Sequence, residues 1–381
     1  MTTRIALTLF VCALLPVAAQ TGRKRGTARA KNVILLLADA GGISTVNAAS
    51  IHGHGAPQKL FVQSWPHIAL SDTSPVRNWV SDSAAGMTAI VTGQKTLNGV
   101  ISQGADAERG KRDGTTLKTL LEYAEERGLS TGVMSNVTIT DATPAACYGH
   151  ANDRRKWGEI FLQLFAPRFG DGVDFLYGPG RKRIWEDVKA LGKDADAVAA
   201  AAGRPVYTSL GGVPATERRP LVVVDGGPEL ADAARKAIQT LSRNPKGYFL
   251  MIESDAHTDD PRAGLDRLVA FDALIREIAA LTKPSETLLL FTADHSFDLR
   301  IVSGPQDKPV LEGYDEWKKG NEGKAKKDPP HLRYLKVDGS HTAEEVLVAA
   351  MGPGAEAVRG YLPNTAIFGI IMKAWGWQPK S

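Results

Sequence analysis

Cysteine is nearly absent: among 381 residues only Cys12 and Cys147 carry a thiol. Cys12 sits in an apolar run, Ile5 to Val17, that follows Arg4 and leads to the small residues Val17-Ala18-Ala19. That pattern is expected to be a cleaved secretory signal over residues 1–19, too short to span a bilayer. Cys147 is then alone, which excludes an intrachain disulfide and suits a buried, small, apolar residue. Bulky Val11 ahead of Cys12 argues against lipid attachment there. No second apolar run is long enough to cross a membrane. The expectation is a secreted or periplasmic protein with no stable membrane insertion.

Also missing is a basic stripe interleaved with aromatic residues. The net charge of +4 comes largely from Arg23 to Lys31 and a lysine-rich stretch at 318–327, so nucleic acid is not an expected partner. No internal repeat is visible. Residues 20–30 read as a flexible basic linker, and 31–378 as one domain. Within it, 155–245 is expected to be a variable insertion or cap, because its periodicity is weak and glycines are frequent up to about residue 220. The lysine-rich loop from Gly304 to Lys327 reads as solvated.

What is present is a rhythm of strands and helices. Asn32 to Ala38 is a continuous apolar run, as expected of a strand buried on both faces of a parallel sheet. Asp39 ends it, and Gly41-Gly42 lets the chain turn away. Strands are expected at 131–135, 248–252, 288–292 and 345–350, and helices at 117–127, 231–241, 265–281 and 364–375. The fold class is therefore α/β: a three-layer α/β/α sandwich around a mostly parallel central sheet, with a small insertion or cap. With 43% hydrophobic residues, such a core can be filled.

Ligand-type residues cluster where the strands end. Besides Asp39 there are Glu253-Ser-Asp255-Ala-His257 and Asp294-His295, and Asp141-Ala-Thr143 follows another strand. In open α/β sheets, ligands gather beyond the carboxyl ends of the strands. One such residue is ordinary, since helix caps also follow strands, but three placements together point to metal binding. A late His341 in Gly-Ser-His-Thr adds an imidazole. Asp82-Ser83-Ala-Ala opens a helix; either Asp82 or Ser83 serves as a cap, and a hydroxyl at Ser83 would face free backbone N–H groups that welcome an anion. His52 and His54 flank a flexible turn and read as surface residues, and His150 as a structural hydrogen-bonder.

As a set, these residues resemble the alkaline phosphatase family. Asp82-Ser83-Ala-Ala followed by Thr92-Gly-Gln-Lys-Thr-Leu-Asn-Gly99, Asp141-Ala-Thr-Pro-Ala-Ala146, Thr292-Ala-Asp-His-Ser296 and Gly-Ser-His341-Thr-Ala-Glu-Glu carry the similarity. The resemblance implies two zinc ions per chain and a magnesium site. It makes Ser83 the nucleophile and Arg154 the phosphate clamp, with Arg155 as an alternative. Asp39, Asp294 and His295 match the ligands of the metal beside the serine. His341 matches a ligand of the second metal, and Asp39, Thr143 and Glu253 match the magnesium site. One segment departs from the family pattern of Asp-x-x-x-His beginning five residues after the glutamate. Here Asp255 and His257 fit best, with Asp259 as the alternative oxygen donor. The implied function is a secreted metal-dependent phosphomonoesterase acting through a phosphoserine on a small phosphate ester. A phosphodiesterase on the same scaffold and a noncatalytic phosphate- or metal-binding module are the alternatives. A homodimer is compatible with the sequence but not specified by it.

Overall fold

The computed structural model describes residues 29–227 and 230–378. The expected signal and most of the basic linker lie outside them. Ten strands form one sheet: β1 (Asn32–Asp39), β2 (His67–Asp72), β3 (Ser130–Ser135), β4 (Phe175–Pro179), β5 (Val206–Tyr207), β6 (Leu221–Val224), β7 (Tyr248–Asp255), β8 (Thr287–Thr292), β9 (Val346–Met351) and β10 (Gly360–Pro363). Their spatial order is β10-β2-β9-β8-β1-β7-β3-β4-β6-β5. Only β9 runs antiparallel to its neighbours, β8 and β2.

The central strand explains the three layers. Side chains alternate along β1. Val33, Leu35 and Leu37 join Ile90, Val91, Cys147 and Ile371 in one core. Ile34, Leu36 and Ala38 join Val46, Leu265, Leu268 and Ile275 in the other. Every β1 residue from Val33 to Ala38 is therefore apolar, and Cys147 is the buried free thiol expected. Among the described residues, no helix is long and apolar enough to cross a membrane.

Two regions differ from expectation. Residues 155–245 are not a cap: they supply β4, β6 and β5, which continue the sheet outward from β3. These strands are only 5, 4 and 2 residues long, too short for a clear periodic signal. The Gly304–Lys327 loop contains a short helix, Tyr314–Gly320, whose Tyr314 is buried against the second core.

The register places the chemistry. β1 lies between β7 and β8, with Asp39 opposite Asp255 and Leu37 opposite both Glu253 and Thr292. The turn after Asp39 relies on Ala40, buried at φ 64°, rather than on the two glycines that follow. That is an uncommon conformation for a residue with a Cβ. Helix α1 (Ile43–His54) follows the turn, and α2 (Ser83–Thr92) packs its N-terminal turn against the end of β8.

Gly86 makes that packing possible, because a Cβ there would lie 2.2 Å from the Asp294 carbonyl oxygen. We expect Gly86→Ala to destabilise the protein by about 1–3 kcal/mol in urea denaturation, as backbone must move to admit it. Gly369→Ala is the control. It lies within the exposed face of the closing helix, Thr365–Trp375, where a Cβ meets nothing. It should be neutral or stabilising by up to about 1 kcal/mol.

Candidate metal centre and nucleophile

Asp82 is the N-cap of α2: its Oδ1 accepts a hydrogen bond from the Ala85 N–H at 3.1 Å. Ser83 is therefore the first helical residue, with its hydroxyl at the N-terminus of the helix. Its Oγ lies 3.2 Å from His295 Nε2. Asn98 fixes the approach to this helix, accepting from the Asp82 N–H and donating to the Val80 carbonyl, both at 3.0 Å.

Strand ends bring the remaining groups together. Among the described residues, three overlapping sets each place their ligand atoms within 4.8 Å of one another. They are Asp39, Asp294 and His295; Asp39, Asp255 and His257; and His257, His295 and His341. His341 reaches the site because it pairs with Phe297 in a small antiparallel two-stranded sheet, Ser296–Phe297 against His341–Thr342. There its ring stacks on His295 at 3.8 Å between centroids. Its Nδ1 meets the Ser81 carbonyl at 2.9 Å, which leaves Nε2 facing His257 Nε2 at 3.4 Å. His257 Nδ1 in turn meets Asp255 Oδ1 at 2.7 Å.

Two further expected residues border these sets. Thr143, on α4 (Ala142–Tyr148) after α3 (Leu120–Glu126), donates its hydroxyl to Asp294 Oδ2 at 3.3 Å. Glu253 is fully buried and accepts from the Ser135 hydroxyl through Oε2, while its Oε1 has no hydrogen-bond partner. Arg154 donates to Asp82 Oδ2 at 3.3 Å and to Asp141 Oδ1 at 3.0 Å. Arg155 is exposed. Asp259 is also exposed and belongs to none of the three sets. The strand explains this: β7 runs to Asp255 rather than stopping at Ile252, so 255 is held in the ladder while 259 lies beyond it.

Several partners were not evident from sequence. Asp82 serves as helix cap with one oxygen and as an anchor for Arg154 with the other. Asp141 holds the second guanidinium nitrogen, and Arg267 clamps Asp255 Oδ2 at 2.8 Å. His150 is a structural residue, meeting the Ser102 carbonyl and Glu122. His52 pairs with Asp266 at the surface, and His54 is exposed.

The electrostatics of the cluster are unbalanced in a way that fits cations. Burial pushes Asp294 up to about 7, and the neighbouring Asp39 charge adds to it. Glu253 goes well above the carboxylate range for the same two reasons, burial first. Burial would raise Asp39 too, but His257, His295 and Arg154 outweigh it and hold it low. Burial pulls His257 down, yet Asp39 and Asp255 lift it to about 9. His341 falls to about 4 through burial and the charge of His295. Paired carboxylates in so dry a place disfavour each other's charge. The donor set of imidazoles and carboxylates, with Glu253 Oε1 buried and unpartnered and two imidazole Nε2 atoms face to face, is the chemistry that divalent metals take.

Comparison with known proteins identifies the family. The chain matches the alkaline phosphatase family over residues 30–175 and 206–334. Streptomycin-6-phosphate phosphatase of Streptomyces griseus is 31% identical, over 97% of this chain and 95% of that protein. Alkaline phosphatase of Escherichia coli K12 is 28% identical, over 91% and 86%. The solved alkaline phosphatase of the Antarctic bacterium TAB5 superposes with a TM-score of 0.75 at 26% identity, covering 92% of this chain and 99% of that one. With most of its length matched, and with its ligand-type residues collected at the ends of the central strands, the chain belongs to the alkaline phosphatase family.

Proposed function

We propose that this protein is an exported, metal-dependent phosphomonoesterase that passes the phosphoryl group through Ser83. The observation that carries the reading is the 3.2 Å approach of Ser83 Oγ to His295 Nε2. It sets a hydroxyl at a helix N-terminus directly on the rim of the metal-type cluster. The names of the S. griseus and E. coli relatives support hydrolysis of monoesters over diesters. The apolar run Ile5 to Val17 supports export.

Asp39, Asp294 and His295 would hold one zinc ion, and Asp255, His257 and His341 a second. Asp39, Thr143 and Glu253 are the donors for magnesium. When bound, such ions act as Lewis acids that favour an ionised hydroxyl and a departing alkoxide. The chain's own residues do the rest. Ser83 Oγ forms a bond to phosphorus as the bond to the alcohol oxygen breaks, and the alcohol leaves with a proton. Water then cleaves the phosphoserine, giving phosphate and restoring the hydroxyl. Free N–H groups at the start of α2 face the phosphoryl oxygens. Arg154 presents a planar fork to two of them, held in place by Asp82 and Asp141.

The reading is tested by hydrolysis of aryl phosphate, aryl phosphodiester and aryl sulfate with and without added zinc. Zinc-dependent preference for the monoester is expected. Equal or better turnover of the diester would replace the reading. Ser83→Ala should lower kcat by on the order of 10³ or more, with metal content and melting curve nearly unchanged. A rate close to that of the parent would mean that water attacks directly.

The metal assignment is checked by zinc stoichiometry. Asp294→Ala and His295→Ala should each weaken one ion, and His341→Ala the other, by at least about a hundredfold, with partial recovery in excess zinc. Asp255→Asn and His257→Ala should resemble His341→Ala, whereas Asp259→Asn should keep both ions. If Asp259→Asn loses metal and His257→Ala does not, the second site must be redrawn.

A further inference from the structure

Trp79 is 84% exposed on the loop that leads into the nucleophile helix. Single exposed apolar residues are ordinary, but this one stands apart. The protein has seven tryptophans, and Trp65, Trp157, Trp185, Trp317, Trp375 and Trp377 each have an aromatic or cationic partner. Trp79 has neither aromatic nor cation–π contact among the described residues, and most of its surface is open to solvent.

The loop beneath it is not loose. Val76 N–H donates to the Thr96 carbonyl at 2.8 Å. Asn98 ties down Val80 and Asp82 on either side of Ser81. The Ser81 carbonyl in turn takes the ring nitrogen of His341 at 2.9 Å. Between these anchors, Arg77 adopts φ 67°, a costly conformation for a residue with a side chain. A strained turn on a pinned loop thus presents the indole, although burying it would be worth about 1.5–3 kcal/mol. Trp79 is four residues from Ser83, so its Cα lies within about 14 Å of the nucleophile's. That span suits an alcohol group still joined to the phosphorus.

We infer that Trp79 is a specificity residue that stacks on the alcohol part of the substrate, selecting phosphate monoesters whose alcohol carries a ring with an apolar face. The inference rests on the phosphomonoesterase reading above. The ring faces of aromatic groups and sugars pack well against an exposed indole, while a short aliphatic alcohol would not reach it. Arg77, Asn78 and Trp79 are all exposed, so the subsite is open and accepts rings of different size. Trp79 touches no reacting atom.

The experiment compares benzyl phosphate with ethyl phosphate, two alkyl esters, on zinc-loaded parent, Trp79→Ala and Trp79→Phe. Trp79→Ala should raise KM for benzyl phosphate about tenfold and leave its kcat within twofold, because stacking binds ground and transition states alike. Its KM for ethyl phosphate and its inhibition constant for inorganic phosphate should move by less than twofold. Trp79→Phe should recover most of the loss. Calorimetric binding of benzylphosphonate should show the same tenfold contrast without turnover. Equal weakening for benzyl phosphate, ethyl phosphate and inorganic phosphate would overturn the inference by showing that Trp79 only props the loop. An unchanged KM for benzyl phosphate would overturn it as well. So would dissociation by Trp79→Ala of a parent that sediments as a dimer, which would make the indole an interface residue. A parent that hydrolyses neither ester would fail the phosphomonoesterase reading, whereas the benzylphosphonate contrast would still decide Trp79.

Discussion

Crowded negative charge at the end of one strand is the constraint on which the rest of this protein depends. Asp39 ends the central strand, and the parallel register brings Asp255 beside it, with Asp294 just beyond the next strand. Such carboxylates repel one another when buried, and proteins tolerate them together only with protons or cations to compensate. The shifts of Asp294 and Glu253 are the cost of that arrangement, and the lifted His257 is part of the compensation. The sheet can hold the groups in place because its centre is rigid. Apolar packing on both faces of β1, from Val33 to Ala38, leaves its end residue little freedom. Stability and chemistry are thus divided along a single strand, six apolar residues followed by one charged one.

Serine and arginine are added to this cluster by different means. Ser83 is delivered by close packing, since α2 touches the end of β8 where Gly86 has no side chain. Arg154 is delivered by charge, its guanidinium bracketed by Asp82 and Asp141. Asp82 joins the two devices, capping the helix with one oxygen and holding the arginine with the other. In the proposed reading, an anion arriving at Ser83 would meet a cation whose own partners already fix its direction, which lowers the entropy lost on binding.

Much of this was legible because long elements announce themselves. β1, β7, β8, the 21-residue helix Pro261–Leu281 and the closing helix all follow clear hydrophobic patterns. Asp39, Asp294 and His295 could be placed because each stands at or just after such a strand. The strands β4, β6 and β5 on one side of the sheet could not, being too short to show a period. The segment from Glu253 to Asp259 was harder for another reason. A strand that ends at Ile252 and one that ends at Asp255 look alike in sequence, yet the second keeps Asp255 in the ladder. The anchors of Arg154 and Asp255 come from residues 12 to 72 positions away, a closeness that only the folded chain creates. Nor does sequence reveal that Trp79 stays in water, because exposure belongs to the surroundings and not to the residue.

The strand pair that carries His341 has a consequence for how such a protein can change. Ser296–Phe297 and His341–Thr342 are neighbours in space, while the chain between them, residues 298–340, anchors Leu299, Leu335 and Val337 in the second core and leaves two exposed runs, 302–309 and 322–329. Closing a flexible excursion costs only about 0.6 kcal/mol for each doubling of its length. Insertions or deletions within those two exposed runs would leave the core anchors and the imidazole at their posts, so descendants of this sequence can remodel that part of the outer surface while inheriting the same cluster of ligand-type residues.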